Sequence, residues 1–359
     1  MKKSLALIGI MLLALMVFVG CQANEANNVV ENEVVENSND QVEATEEATE
    51  EVEEATEVEE PVEKPVLKIA TLKGPTGMGM VQLMENDEMM ISEIDYEFDI
   101  VGAPDQIIGQ IVQGNVDIAA VPSNMGAILD VKTEGKIQVL AVNTLGVLYI
   151  VENGDTVNSL EDLKGKTVLG SGKGASPEYI INYLLAENGL TEDVTVEYAV
   201  EHSEVAAKVT TGDAPIVLLP QPFVTSVTLG SETNRIAVDL TAEWEKATDG
   251  LMLPMGAIVV NKAYAEENPQ VIEKFMEEYK ASVDFVNANP ADAGVLVEKF
   301  GIIPKAALAT KAIPNCNITL IPAQEAKESL QAFYEILHGF NPKAVGGKLP
   351  EDAFYYEKK

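Results

Sequence analysis

From Val66 onward, apolar and polar positions alternate between two periods, one typical of strands and one of helices. Four strands are predicted, at Val66–Leu72, Tyr96–Val101, Val116–Val121 and Ile137–Val142. A glycine-rich turn and a helix over Met78–Met84 separate the first two strands. A second helix opens at Pro104, with apolar residues at helical spacing at Ile107, Ile108, Ile111 and Val112. Alternation of strand and helix predicts an α/β fold with a mainly parallel sheet flanked by helices.

The same pattern recurs at an offset of 98 residues. The strand Lys166–Leu169 then falls on Lys68–Thr71, and Pro220 falls on Pro122. Few residues are identical, so the repeat indicates repeated architecture without proving a duplication. It predicts two similar α/β lobes.

The segment after residue 250 has no counterpart in the second half of the repeat. It contains an apolar strand-like run at Leu251–Val260 and the helices Pro269–Asn287 and Ala291–Phe300. We therefore predict that the chain returns to the first lobe, which comprises residues 65–146 and 256–359, whereas residues 147–255 form the second lobe. Two crossings, at Val147–Ile150 and Leu253–Ala257, would act as a hinge.

The first 21 residues have the pattern of an export signal. Lys2 and Lys3 precede an apolar run of 15 residues, Leu5–Val19, which is short for a membrane span and right for a signal-peptide core. Gly20 directly before Cys21 resembles the bacterial lipobox, in which the cysteine is acylated. We predict a signal peptide at residues 1–20 and lipidation at Cys21. An ordinary signal peptide with an incidental cysteine is the alternative.

Residues 21–64 are predicted to form a lipidated cysteine and a disordered acidic spacer. Gln22–Glu60 contains 15 acidic residues and no lysine, arginine or aromatic residue. Such a segment buries too little apolar surface to fold, and its like charges repel each other. The total charge is −34, and without the spacer acids and the two signal-peptide lysines it is about −21. This charge excludes nucleic acid and anionic lipid surfaces as partners of the folded part.

Scarce residue types exclude several chemistries. With Cys21 lipidated, Cys316 is the only other cysteine, so an internal disulfide has no partner. His202 and His338 are the only histidines, too few for a histidine metal site or a Ser-His-Asp triad. No catalytic residue, metal or cofactor is therefore expected. Because Arg235 is the only arginine, an anionic solute would depend on backbone amides, helix N-termini, Lys73 or Lys173.

Candidate binding residues follow the carboxyl ends of the predicted strands, where ligands bind in open parallel sheets. The turns Lys73–Gly77 and Ser171–Ser176 are matched by the repeat, and their glycines permit close backbone approach. Ser176 before Pro177 indicates a helix N-cap. Taken singly, each turn is also consistent with a tight connection, and Trp244 with a core position. The candidates are Lys73, Gly74, Thr76, Gly77, Ser123, Asn124, Asn143, Thr144, Ser171, Gly172, Lys173, Gly174, Ser176, Gln221 and Trp244.

These features together resemble the solute-binding lipoproteins of ABC importers. Within that class the chain is similar to the nitrate/sulfonate/taurine-binding and thiamine-pyrimidine-binding-like family, over about residues 65–356. The resemblance is carried by Ser159–Val168, Gly170–Pro177, Gln221-Pro222-Phe223, and Val259–Lys262 before Asn268-Pro269. It implies the type II periplasmic-binding-protein fold, with two lobes closing on a small solute. Some relatives are enzymes that use cysteine- and histidine-rich motifs, which this chain does not share.

The resemblance implies a lipid-anchored protein on the extracytoplasmic face of the cell membrane. It would capture a small polar or anionic organic solute of the sulfonate, nitrate or pyrimidine kind. It would deliver that solute to an ABC permease with its cytoplasmic ATPase, acting as a monomer that meets the membrane only through the lipid. A lipoprotein that senses its ligand without transport is one alternative, and an extracytoplasmic enzyme on the same fold is another.

Overall fold

The computed structural model describes residues 64–102 and 104–358, except the side chains of residues 104 and 105. The predicted signal peptide, Cys21 and almost all of the acidic spacer lie outside the described residues. The described residues belong to one compact unit. None of its described helices combines the length and apolar character needed to span a bilayer.

Eleven strands are described: β1 (Val66–Leu72), β2 (Asp95–Val101), β3 (Ile118–Pro122), β4 (Ile137–Thr144), β5 (Leu148–Asn153), β6 (Thr167–Ser171), β7 (Thr195–Ala199), β8 (Ile216–Pro220), β9 (Asn234–Asp239), β10 (Gly256–Asn261) and β11 (Ile318–Pro322). The thirteen described helices are α1 (Pro75–Met78), α2 (Val81–Glu88), α3 (Pro104–Gln113), α4 (Ser123–Lys132), α5 (Ser176–Glu187), α6 (His202–Thr211), α7 (Phe223–Gly230), α8 (Leu240–Ala247), α9 (Lys262–Glu267), α10 (Pro269–Ala288), α11 (Pro290–Lys299), α12 (Ala306–Ala312) and α13 (Ala323–Phe340).

The strands form two sheets, in the orders β11-β4-β10-β3-β1-β2 and β7-β6-β8-β5-β9. Leaving out the edge strand β11, the second sheet repeats the first, with β6, β7 and β8 in the places of β1, β2 and β3. In both sheets one interior strand, β10 or β5, runs against its neighbours. The α/β prediction and the repeated architecture are confirmed, and the reversed strand explains why each sheet is only mainly parallel. We call the parts built on these sheets the first and second lobes.

Alternate residues of each strand reach opposite faces of the first sheet. One face, with Ala70, Ala119 and Val259, packs in a core with residues of α3, α4 and α13. The other, with Ile69, Ala120 and Ile258, packs in a core with residues of α2, α10 and α11. Because both faces are covered, the strands read as continuous apolar runs in the sequence.

The helix α13 follows the first sheet in sequence, yet it also packs against the second lobe. Its Phe333 ring lies 6.0 Å from the ring of Trp244 in α8. Its Ser329 hydroxyl accepts a hydrogen bond from the Met252 backbone N–H at 3.1 Å. One apolar core therefore contains residues of both sheets, joined through α13. The domain division at residues 147 and 256 stays a prediction.

Two predicted elements are wrong in their bounds. The helix expected over Met78–Met84 is broken between α1 and α2 at Gly79, where a Cβ would lie 3.0 Å from the Tyr279 hydroxyl and 3.1 Å from Ile318. The strand expected over Leu251–Val260 begins only at Gly256, because Leu251–Met255 is the loop that crosses between the lobes. The strands β5, β9 and β11 were not predicted.

Candidate functional site

A cleft of about 410 Å³ lies between the lobes, at the carboxyl ends of β1, β3, β6 and β8. In α/β folds this is the end of the sheet where solutes bind. The lining residues are Pro75, Thr76, Pro122, Asn124, Met125, Thr144, Val147, Leu148, Gly172, Ala175, Ser176, Pro177, His202, Pro220, Gln221 and Met255. A larger cavity of about 600 Å³ lies on the outer side of the first lobe, among residues of α10, β11 and the C-terminal tail.

On the first-lobe side, the turn after β1 is held from behind by Asn143. Its amide Nδ2 donates to the Thr76 backbone carbonyl at 3.0 Å and to the Tyr279 hydroxyl at 3.2 Å. Asn143 is fully buried, so it supports the turn, while Thr76 and Thr144 reach the lining. Gly77 is also buried, and a Cβ there would lie 2.3 Å from the Leu72 carbonyl oxygen. This glycine is therefore required for packing of the turn.

The start of α4 supplies two further polar groups. Ser123 is 1% exposed, and its hydroxyl has no hydrogen-bond partner among the described residues. Asn124 lines the cleft, and its Nδ2 donates to the Ala344 carbonyl at 3.1 Å. The Ser176 hydroxyl of the second lobe donates to Asn124 Oδ1 at 3.3 Å. That bond joins the two walls of the cleft.

The glycine-rich turn before α5 is arranged differently from the prediction. Ala175 occupies the N-cap position with extended dihedral angles, and Ser176 is the first helical residue. The prediction of Ser176 as the N-cap is therefore wrong, because its hydroxyl turns toward Asn124 instead of its own helix. The Glu178 carboxylate accepts from the Gly174 backbone N–H at 2.5 Å. Gly172 lines the cleft with a positive φ of 80°.

Gln221 is the buried polar residue at the end of β8, where it is 3% exposed. Its Oε1 accepts from the Thr225 hydroxyl at 2.8 Å and from the Thr225 backbone N–H at 3.2 Å, which caps the start of α7. Its Nε2 has no partner among the described residues. A buried donor without an acceptor is unfavourable by about 1–3 kcal/mol. A solute acceptor would satisfy it.

His202 lines the cleft and was missed by sequence reasoning, which weighed histidines only for metal and triad chemistry. Its Nδ1 is hydrogen-bonded to the Ser171 hydroxyl, and its ring lies 5.4 Å from the Phe223 ring. Burial lowers the pKa of the imidazole, against the opposing charge of Glu201. The usable signal was position, since His202 follows the carboxyl end of β7.

Several other candidates lie away from the lining. Lys73 is exposed on the rim, and Lys173 is exposed and lines an outer cavity beside Tyr198. Ser171 is buried behind His202. Trp244 is fully buried between the rings of Tyr183 and Phe333, at 5.2 and 6.0 Å, so it belongs to the core. Gly74 and Gly174 have positive φ and serve the backbone of the turns.

Comparisons with known proteins agree with this arrangement. Residues 137–293 match the family described as NMT1/THI5 like. A protein of Brucella abortus (strain 2308), named only as a binding protein, is 25% identical over 185 residues, which is 52% of this chain. The match spans 56% of that relative, a little over half its length.

Solved structures extend the likeness over most of the chain. The crystal structure of an ABC transporter from Parabacteroides distasonis is 26% identical, with a TM-score of 0.70, covering 82% of this chain and 100% of that one. The periplasmic aliphatic sulphonate binding protein SsuA from Escherichia coli gives a TM-score of 0.64 at 16% identity, covering 83% and 94%. The periplasmic nitrate-binding protein NrtA from Synechocystis PCC 6803 gives 0.54 at 13%, covering 78% and 82%.

The last two identities show a shared fold. The family match covers all five strands of the second sheet. The resemblance seen in the sequence is thereby confirmed: this chain carries the NMT1/THI5-like family match on the two-lobed fold of the periplasmic solute-binding proteins.

Proposed function

We propose that this chain is the solute-binding lipoprotein of an ABC importer. It captures a small polar organic solute in the cleft between its lobes and delivers it to a membrane permease. Residues 65–146 and 256–359 act as the first lobe and residues 147–255 as the second. Cys21 carries the lipid that holds the body on the extracytoplasmic face of the membrane.

One observation carries the proposal. The Gln221 amide Nε2 belongs to the cleft lining and is buried without a partner among the described residues. A folded protein seldom leaves such a group unsatisfied without a functional reason. It can donate to a solute lying between the lobes, and the Ser176–Asn124 bond would help to hold the lobes around that solute.

The absence of a strong cationic or nucleophilic group from the described cleft lining favours binding over turnover. The lining is built from prolines, methionines, small polar side chains and His202. Such a surface can hold and release a solute, whereas acid–base chemistry needs groups poised against a reacting bond. Function as an importer component also agrees with the fold of the solved relatives.

The test is retention of small molecules from a bacterial metabolite extract, measured by native mass spectrometry on the mature protein. Wild type should show a bound mass that Gln221→Ala loses. Gln138→Ala is the matched control, because Gln138 donates to the Ala353 carbonyl outside the cleft. Equal retention by wild type and Gln221→Ala would place binding elsewhere, and chemical conversion of the retained molecule would indicate an enzyme.

A further inference from the structure

The hydrogen bonding at the mouth of the cleft limits the charge of its solute. An oxyanion in a protein needs cations or free backbone N–H groups, and helix N-termini are the usual source of the latter. Four strand-to-helix junctions, after β1, β3, β6 and β8, surround this cleft. What each junction offers can be read from the bonds that its backbone already makes.

In the first lobe three junction N–H groups are engaged within the protein. After β1, the Gly77 and Met78 N–H groups both donate to the Gly74 carbonyl, at 3.1 and 3.2 Å. After β3, the Ser123 N–H donates to the Met255 carbonyl at 3.1 Å. Pro75 and Pro122 also stand at these junctions, and proline has no N–H to donate.

In the second lobe, side chains accept hydrogen bonds from two of the junction N–H groups. The Glu178 carboxylate occupies the Gly174 N–H, and Gln221 Oε1 occupies the Thr225 N–H. The Ala175 N–H donates to the Gly172 carbonyl at 3.0 Å, and Pro177 has none. A carboxylate in the first turn of α5 moreover interacts favourably with the same positive helix end that an anion would seek.

Positive side chains lie outside the lining. No lysine or arginine occurs in the lining of the cleft as the structure describes it. Lys173 is exposed beside an outer cavity, and Arg235 forms an ion pair with Glu152 at 2.7 Å. His202 is the single titratable side chain in that lining, and burial lowers its pKa, which favours the neutral imidazole.

The walls themselves are mostly apolar. Four prolines and two methionines line the cleft, at Pro75, Pro122, Pro177, Pro220, Met125 and Met255. Among the lining residues that the structure describes, the unsatisfied buried side-chain group is a donor, Gln221 Nε2. A solute that complements this surface needs an apolar body and an acceptor atom, and it gains little from a formal negative charge.

We propose that the solute is an uncharged organic molecule with an apolar body and at least one hydrogen-bond acceptor, bound through Gln221. This inference rests on the proposed function and narrows it, since it excludes sulfonates and nitrate as solutes of this cleft. The net charge of the folded part of the chain, about −21, also repels anions at long range.

The test separates a bacterial metabolite extract by charge. An anion-exchange resin at pH 7 divides the extract into a retained, anionic fraction and an unretained fraction. A cation exchanger then removes cations from the latter, leaving the uncharged fraction. Each fraction is added to the mature protein, and thermal unfolding is followed by fluorescence. The uncharged fraction should raise the midpoint of unfolding, and the anionic fraction should not.

Variants separate failure of this inference from failure of the proposed function. Stabilisation by the anionic fraction that is lost in Gln221→Ala would overturn the charge assignment and keep the cleft as the binding site. If either fraction stabilises Gln221→Ala as much as it stabilises the control Gln138→Ala, the binding site lies outside the cleft. No stabilisation by the uncharged fraction would also overturn the inference.

A second arm uses benzenesulfonate and benzenesulfonamide, which differ mainly in charge. Their binding is measured by calorimetry for wild type and for Gln221→Ala. We expect benzenesulfonamide to bind at least about tenfold more weakly to Gln221→Ala than to wild type, because the Nε2 donor is removed. Tighter binding of benzenesulfonate than of benzenesulfonamide by wild type would overturn the inference.

Discussion

Replacing Gln221 by alanine tests the central residue of the cleft, because the two ends of its amide have opposite roles. The Oε1 atom caps α7 through two bonds from Thr225, at 2.8 and 3.2 Å. The Nε2 atom is buried without an acceptor among the residues that the structure describes. Alanine removes both the favourable cap and the unfavourable orphan donor.

The two contributions to the free energy of unfolding are of similar size. Loss of a helix cap is destabilising by about 1 kcal/mol. Removal of a buried unsatisfied donor is stabilising by about 1–3 kcal/mol, reduced by the small cavity that the shorter side chain leaves. Without solute, we expect Gln221→Ala to unfold within about 1 kcal/mol of wild type, which is about 2–4 °C in the midpoint. With solute, Nε2 becomes satisfied and the difference should grow by about 1–3 kcal/mol.

The assay is thermal unfolding by circular dichroism, with and without the uncharged metabolite fraction. Thr225→Val is the matched variant, because it removes the hydroxyl that donates to Oε1 and leaves the backbone bond and Nε2 in place. It should lower stability by about 1 kcal/mol and leave solute binding intact. A midpoint for solute-free Gln221→Ala more than about 8 °C below wild type would refute the reasoning, since Nε2 could not then be an orphan donor.

Three further outcomes are expected. Arg235→Met should lower the free energy of unfolding in urea at pH 7 by about 2 kcal/mol, which is below the range for fully buried pairs because the Arg235 side chain is 32% exposed. The double variant Glu152→Gln/Arg235→Met should recover most of this loss. An unchanged free energy of unfolding in Arg235→Met would contradict the role of the pair. Burial raises the pKa of Glu152, but hydrogen bonds from Thr156 and Val157 and the charge of Arg235 outweigh burial, so the pKa is lowered overall. Wild type should therefore keep the stabilisation from the Glu152–Arg235 pair above about pH 4.5 and lose it as the pH falls further. Gly146→Ala should lower the thermal midpoint of unfolding, because a Cβ at residue 146 would lie 2.0 Å from the Thr241 hydroxyl. Adding Thr241→Ala to this variant should partly restore the midpoint. An unchanged midpoint in Gly146→Ala would count against the close contact. Cys21→Ser should release the protein from membranes in a fractionation experiment or block its processing, and unchanged retention with normal cleavage would exclude the lipid anchor.

Much of the fold could be predicted because the interior strands β3, β4 and β10 of the first sheet are buried on both faces. Val66–Leu72 was predicted with its observed bounds, and Ile118 and Ile216 open β3 and β8 at the predicted offset of 98 residues. The strand β5 was missed because its apolar run follows β4 after three residues and was interpreted as a hinge. The strand β9 was missed because Asn234 and Arg235 give its start a polar pattern.

The location of the candidate site could be predicted from the sequence, but the hydrogen bonds and contacts of its residues were harder to predict. Strand ends located Thr76, Asn124, Ser176 and Gln221, which all reach the cleft lining. Sequence spacing could not show that Glu178 folds back onto the Gly174 N–H, since that bond depends on the conformation of the turn. It also could not show that α13 places Phe333 against Trp244, which turns a candidate solute contact into a core residue. Contacts between distant segments are the part that local patterns do not contain.

The position of α13 has a consequence for how the chain acquires its structure during synthesis. All five strands of the second sheet and the helix α8 have been made once Ala247 has been added, yet Trp244 and Tyr179 still lack their neighbours from α13 and the residue after it. Those neighbours, Phe333 and Asn341, arrive about 90 residues later. Until then the apolar face of the second lobe is open to water and to other chains. Truncation of the last 40 residues should therefore expose this face and make the distant second lobe prone to aggregation.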